Sequence, residues 1–474
     1  MKLDKETIKN WLKTKENWWI IGLMIFTIVI RFYYFFKLGN QPIWWDEGDY
    51  LAISKVWALG MPQPEWWAHF TGMRPMLIPI IWMLFMKLGL GEFSMRFFTL
   101  LIPSILTVYL VYAVARDLYN KKVGLIAGAI MSVYWVHLFY SFRLLTDIPS
   151  LFLGMLTIYF FWSRYVTKGD KKGLYWAAFF GVLAFAARFP HGSILFVCFL
   201  FLFLIERKQF FKNKTNWKAL GLTALFLLPY MIYFLYNNFY VLRFYFGPAA
   251  TNLQTPLVTA MQNIFAIFPS LFGPTLAGAN LPIYENFLFL FLFIGIFSLY
   301  GMFICFDIFW KQKDKRFNAD FFVLLLALSQ IIIYVFVIKA ANDRWLFMLM
   351  PPLFFLAAKG AYVSYNFLKK YSNYIAIFLI GVLLILGLYF QLSHANYLID
   401  VKKDTYKEVK LGGEWLKENT HADAKIITAS IVQNQYYSER QSYDFNYNNS
   451  NNLSAFEEKL RVIKPDYIIV NVFE

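Results

Sequence analysis

Cysteine is scarce in this chain, and so is charge. Two cysteines, Cys198 and Cys305, stand in 474 residues. Both lie inside apolar runs, without a metal-thiolate spacing or a disulfide framework around them, and they read as packing residues. Asp, Glu, Lys and Arg together make up 16% of the chain, where a water-soluble protein carries about a quarter. The sequence has no glycine-rich phosphate loop, no dinucleotide fingerprint and no histidine zinc motif. A soluble nucleotide or zinc enzyme therefore has no motif here to rest on. What fills the chain instead is apolar: 59% of residues are hydrophobic and 21% are aromatic. Apolar runs of membrane-spanning length recur from residue 17 to residue 392, which excludes a soluble globular protein.

The net charge of +16 suggests nucleic acid at first sight, but its distribution argues otherwise. Residues 393–474 hold ten Lys/Arg and twelve Asp/Glu, a net of −2, so the preceding part carries +18. Those cations fall in short clusters between apolar runs, as the positive-inside rule expects. Lys2, Lys5, Lys9, Lys13 and Lys15 place the N-terminus in the cytoplasm. The first run, 17–38, is too long and aromatic for a signal peptide and reads as a retained helix.

Later basic clusters then predict eleven spans: 17–38, 97–115, 123–140, 149–165, 174–190, 193–205, 219–237, 287–309, 320–338, 345–358 and 371–391. The short apolar segment 75–90, with Pro75 and Pro79 at its start, reads as a helix lying at the outer surface or dipping part way into the membrane. The expected organisation is a transmembrane domain, 1–392, with a first external loop at 39–96, and a small external α/β domain, 393–474. In that tail the pattern predicts helices at 406–419 and 454–462 and strands at 425–428 and 466–470. The predicted fold class is all-α polytopic, in the plasma membrane, with the tail outside.

The most unusual segment is Ile43-Trp44-Trp45-Asp46-Glu47-Gly48-Asp49-Tyr50, just after the first span. Three carboxylates stand within four positions among aromatic residues. A carboxylate there suits a general base, and aromatic faces suit sugar rings. Asp46 is the expected base; Glu47 and Asp147 complete the catalytic candidates, with Glu47 better placed to orient a neighbour or pair with a cation. Cations also gather on the outer side, where few should be in excess: His69, Arg74, Arg143, Arg188, Lys339 and Arg344, with His191 beside Arg188. Arginine and lysine around one cavity would hold a phosphate and stabilise it as a leaving group. Arg143 and Asp147 are four apart, one turn if the helix continues past Tyr140. Arg31, inside the first span, should face a polar interior. The inner loops are too short for a nucleotide-sugar site, so an energy-rich donor acting outside must be carried by the membrane.

With these residues in hand, the chain resembles the multi-spanning glycosyltransferases of the GT-C type that use polyprenyl-phosphate sugars. The similarity is to the protein O-mannosyltransferase-like family and to the bacterial lipid A aminoarabinose transferases. It is carried by Asp46-Glu47 after the first span, Arg74-Pro75 to Phe85, Gly91 to Arg96, Arg116 to Lys122, Arg143 with Asp147-Ile148-Pro149, and Arg344-Trp345-Leu346 to Pro351-Pro352. The resemblance spans residues 17 to about 165 and 339–360. It implies inverting transfer from a dolichyl- or undecaprenyl-phosphate sugar to a lipid, glycan or protein acceptor, with Asp46 as base and no nucleic acid partner. Relatives differ in metal use, so a divalent cation between Asp46 and Asp147 stays open as the one cofactor considered. A transporter or flippase of a lipid-linked saccharide is the alternative; it should show internal repeats and helices broken at midplane, and neither is evident.

Overall fold

A computed structural model gives the structure and describes residues 14–65, 67–237, 295–311, 318–333, 343–444 and 453–470. The chain divides into two compact units. One comprises residues 1–34, 101–141 and 147–398, and the other comprises 35–100, 142–146 and 399–474.

The first unit is helical. Among the described residues, five helical segments are long and apolar enough to cross a bilayer: Asn17–Leu38, Glu92–Leu118, Phe189–Lys212, Lys214–Tyr236 and Asn373–Lys402. The expected runs fall on helix wherever they are described, with three breaks, one of them at Arg188, whose extended backbone divides the 174–190 run into Lys171–Ala187 and Phe189–Gly192. The 123–140 run divides into Lys121–Val133 and Trp135–Tyr140, because Tyr134 adopts an extended ψ of 121°. The 345–358 run opens as a tight turn, Asp343–Leu346, and becomes an α-helix at Met350, where Pro351 and Pro352 occupy the first-turn positions that need no donated hydrogen bond.

Helix starts follow local chemistry. Asn120, Asp170, Asn213 and Asn318 each precede a helix, and each side chain accepts from a backbone N–H of its first turn. Packing inside the unit depends on small residues. The helices Phe297–Lys311 and Met350–Lys369 meet at Gly301 and Gly360; a Cβ on Gly301 would stand 2.0 Å from the Leu356 carbonyl oxygen, and one on Gly360 2.3 Å from that of Phe297. Without side chains the two backbones come together, as apolar helices in lipid require. Arg31 is fully buried and donates to the Ser132 carbonyl and to His137 Nδ1, both at 2.9 Å, so its polar surroundings come from within the helical unit. Cys198 is buried as expected. Cys305, also buried, donates to Asp320 at 3.2 Å beside the Lys359–Asp320 ion pair.

The second unit combines the first loop with the tail. The tail carries a three-stranded parallel sheet in the order β2-β1-β3, with β1 at Lys425–Thr428, β2 at Gln441–Asp444 and β3 at Tyr467–Ile468. Lys425 pairs with Gln441, and Ile426 with Tyr467. Parallel neighbours need crossovers. The helix Ile431–Ser438 supplies one, and Leu453–Ile463 precedes β3. The expected helices are present as Lys407–Asn419 and Leu453–Ile463. The expected boundary at 392/393 falls inside the continuous helix Asn373–Lys402. The tail also holds two N-x-S sequons, Asn448-Asn449-Ser450 and Asn452-Leu453-Ser454; Asn448 and Asn452 lie outside the described residues.

Candidate active site

The loop helix Trp45–Leu59 places its three acids in different settings. Asp46 and Glu47 occupy the first turn, where the helix dipole favours negative charge. Asp46 and Asp49, three residues apart, share one face. Arg74, in the turn before the helix Leu77–Lys87, joins them: its Nη2 donates to Asp46 Oδ1 at 2.8 Å, and its Nε donates to Asp49 Oδ2 at 3.1 Å. Nη2 also donates to Asp49, and the guanidinium lies over the Tyr50 ring, 5.3 Å from its centroid. The Asp46 side chain is 26% exposed and that of Asp49 is 7% exposed. One arginine thus connects a buried acid to an open one. Burial works against the Arg74 charge; Tyr50, Asp49 and Asp46 outweigh it, so its pKa stands above the ordinary arginine value.

Glu47 turns the other way and is fully buried. Its carboxylate accepts from the Trp44 backbone N–H at 2.7 Å and from the Leu144 backbone N–H. Arg143 Nη1 stands 3.5 Å away. Burial raises the Glu47 pKa above the usual carboxylate value, and Arg143, Arg96 and the two backbone donors oppose that rise. Arg143 is itself buried, with Nη1 donating to the Pro42 carbonyl at 3.2 Å and Nη2 to the Lys402 carbonyl at 3.0 Å. Its guanidinium lies 3.9 Å from the Trp44 ring centroid. The sequence grouped Arg143 with the phosphate ligands; here it holds Glu47 and two backbone carbonyls. Arg96, the arginine of the Gly91 to Arg96 stretch, similarly donates to the carbonyls of Leu38, Gly39 and Gln41, fixing the chain where the first helix ends.

The condition that would put Arg143 and Asp147 on one helical turn, a helix continuing past Tyr140, is not met. The helix ends at Tyr140 and a new one begins at Asp147, so the two residues share no helical face. Asp147 instead pairs within the helical unit with Arg188, Oδ1 to Nη1 at 2.9 Å, beside the short turn Phe189–Gly192 that carries the buried His191. Arg344 lies half-buried in the Asp343–Leu346 turn. The His69 side chain and Lys339 lie outside the described residues. Among the described residues no group of three or more His, Cys, Asp or Glu is arranged to hold a metal ion. Sequence reasoning missed the partnership of Asp49 with Arg74. The three-residue spacing of Asp46 and Asp49 was its only local sign.

Comparison with known proteins gives the resemblance a wider base. A family model for dolichyl-phosphate-mannose-protein mannosyltransferases matches residues 73–233. An uncharacterised protein of Aquifex aeolicus is 24% identical over 383 residues, covering 78% of this chain and 70% of the relative. Among solved structures, the oligosaccharyltransferase AglB of Archaeoglobus fulgidus, in complex with an inhibitory peptide and a dolichol-phosphate, matches with a TM-score of 0.63 at 13% identity, over 97% of this chain and 69% of that one. ArnT of Cupriavidus metallidurans, bound to undecaprenyl phosphate, matches with a TM-score of 0.58 at 11% identity, over 94% and 88% of the two chains. At such identities the structural likeness speaks for the fold, a polytopic membrane architecture with a small added sheet. With the family match over residues 73–233 and the shared architecture in agreement, the chain has the polytopic membrane fold of the GT-C glycosyltransferases and resembles the protein O-mannosyltransferase-like and aminoarabinose transferase families.

Proposed function

We propose that this protein transfers a sugar from a polyprenyl phosphate to an acceptor at the external membrane face, with inversion and with Asp46 as general base. The observation that carries the reading is the division of labour in one helical turn. Asp46 is open and oriented by Arg74, while Glu47 next to it is sealed inside. Only the open carboxylate can meet an acceptor. In the reaction the acceptor's O–H or N–H loses its proton to Asp46. The freed electron pair forms the new bond at the anomeric carbon, and the bond from that carbon to the phosphate oxygen breaks with its electrons going to the phosphate. Arg74 is the cation in this unit nearest that event. When a donor phosphate arrives, it competes with Asp46 for the guanidinium, and the arginine neutralises the departing charge.

The donor is tested with purified protein and a panel of mannose, glucose and aminoarabinose polyprenyl phosphates. Release of the polyprenyl phosphate from a member of the panel is expected. Turnover of a soluble nucleotide sugar without any lipid donor would overturn the reading. Arg74→Ala should weaken binding of undecaprenyl phosphate about ten-fold or more, since it removes a charge-assisted contact. Unchanged binding would remove Arg74 from the donor site.

Orientation is tested separately, in a background lacking Cys198 and Cys305. Single cysteines at the exposed positions Gln63 and Glu418 should react with an impermeant maleimide in intact cells, and those at Lys168 and Lys208 only after lysis. Labelling of position 168 from outside would invert the map.

A further inference from the structure

We infer that the tail is part of the catalytic apparatus. Its buried helix Ile431–Ser438 sets the position of the Asp46 turn, and Gln433 and Tyr437 are the positioning residues. This inference rests on reading Asp46 as the base.

Ile43 stands three residues before Asp46 and is fully buried. Its backbone N–H donates to the Tyr437 hydroxyl at 3.0 Å, and its backbone carbonyl accepts from Gln433 Nε2 at 3.1 Å. Both polar groups of one buried residue are thus satisfied by side chains one helical turn apart on a single tail helix. Water has no access to replace them, so the entry to the loop helix depends on these two side chains. The contact continues along the loop helix. Gly48 lies against the tail: a Cβ there would stand 3.3 Å from Val432 Cγ1 and 3.4 Å from the Gln433 backbone nitrogen. Farther on, Lys55 donates to the Tyr436 carbonyl at 2.7 Å and pairs with Glu439 at 2.8 Å. Beyond the helix end, Gln435 donates to the Pro62 carbonyl at 2.6 Å. One short helix therefore grips the loop helix before its start, along its length and past its end.

The composition of that short helix points the same way. Ile-Val-Gln-Asn-Gln-Tyr-Tyr-Ser is half polar, yet all eight residues are buried. A helix that served only to fill a core would be apolar, because each buried amide or hydroxyl needs a partner. Here Gln433, Gln435 and Tyr437 find theirs on the backbone that flanks the Asp46 helix. Reaction geometry is sensitive to displacements of about 1 Å, so residues that fix this turn act on the chemical step.

The test uses the full-length protein in nanodiscs. Tyr437→Phe keeps the ring and removes only the hydroxyl; Gln433→Met keeps the length and removes the donor. In either variant, hydrogen exchange of the peptide covering residues 40–50 should become about ten-fold faster at Ile43. The kcat for polyprenyl-phosphate release, on the panel above, should fall about ten-fold while KM for the donor and binding of undecaprenyl phosphate stay within about two-fold. Unchanged exchange or unchanged kcat in both variants overturns the inference. So does a loss of activity that merely tracks the loss of folded protein or of donor binding. Asp46→Asn is measured beside them. If it is inactive and both tail variants are fully active, the tail inference alone fails; if it is active, the reading of the base fails and the inference falls with it.

Discussion

Asp46→Asn is expected to lower turnover by about two to four powers of ten while leaving binding of undecaprenyl phosphate largely intact. The substitution keeps size and shape and removes the proton-accepting oxygen. Its neighbours serve as internal controls because the structure gives each a different task. Asp49 is buried against Arg74, and in the proposed reaction it acts through that guanidinium. Asp49→Asn should therefore act mainly by loosening Arg74, weakening donor binding together with kcat. Glu47 is sealed against Arg143 and the backbone of Trp44 and Leu144. Glu47→Gln should show its main effect in the amount of folded protein. Near-normal turnover in Asp46→Asn with loss of turnover in Asp49→Asn would move the base by one turn. Indifference to all three would take the chemistry away from this loop and bring the transporter reading forward.

The parts of this molecule that were legible in the sequence are those set by local rules. Apolar runs announced the helices, because a bilayer leaves the backbone no other partner than itself. Asn120, Asp170, Asn213 and Asn318 stand where caps are expected, just before the helices they start. The clustering of Asp46, Glu47 and Asp49 marked the first loop for chemistry. What the sequence concealed is decided by residues distant in the chain. The helix Ile431–Ser438 has no apolar stripe to betray it, because its polar side chains are satisfied by Ile43 and Pro62. The strand Gln441–Asp444 escaped notice for a related reason: it is short and polar, and only pairing with β1 defines it. Arg143 looked like its fellow arginines, since nothing beside it in the chain names Glu47 as partner. Asp46 and Glu47 are adjacent and chemically alike, and only the direction in which each side chain leaves the helix separates an open carboxylate from a sealed one.

That sealed carboxylate yields the second large effect. Arg143→Ala should destabilise the protein by about 3–5 kcal/mol at neutral pH, because it leaves Glu47 buried without its cation. The pH dependence identifies the cause. Burial already raises the Glu47 pKa above its unfolded value, and Arg143 is the largest of the groups opposing that rise. A carboxylate with a raised folded pKa keeps its proton in the folded state over a range where the unfolded chain has lost it. Stability from this group therefore falls as pH rises from the unfolded pKa through the folded one. Removing Arg143 moves the folded value higher still, so the penalty goes on growing to higher pH. Below the unfolded pKa, Glu47 is protonated in both states and this penalty vanishes. What remains there is the loss of the hydrogen bonds to Pro42 and Lys402, which does not depend on pH. Thermal melting of the detergent-solubilised protein should thus show a gap between wild type and Arg143→Ala that is small near pH 4 and wide near pH 8. Adding Glu47→Gln to Arg143→Ala should flatten that pH dependence and restore part of the stability, because a neutral amide can be buried where a lone carboxylate cannot. A gap of equal width at every pH would show that Arg143 acts through its carbonyl contacts and not through Glu47.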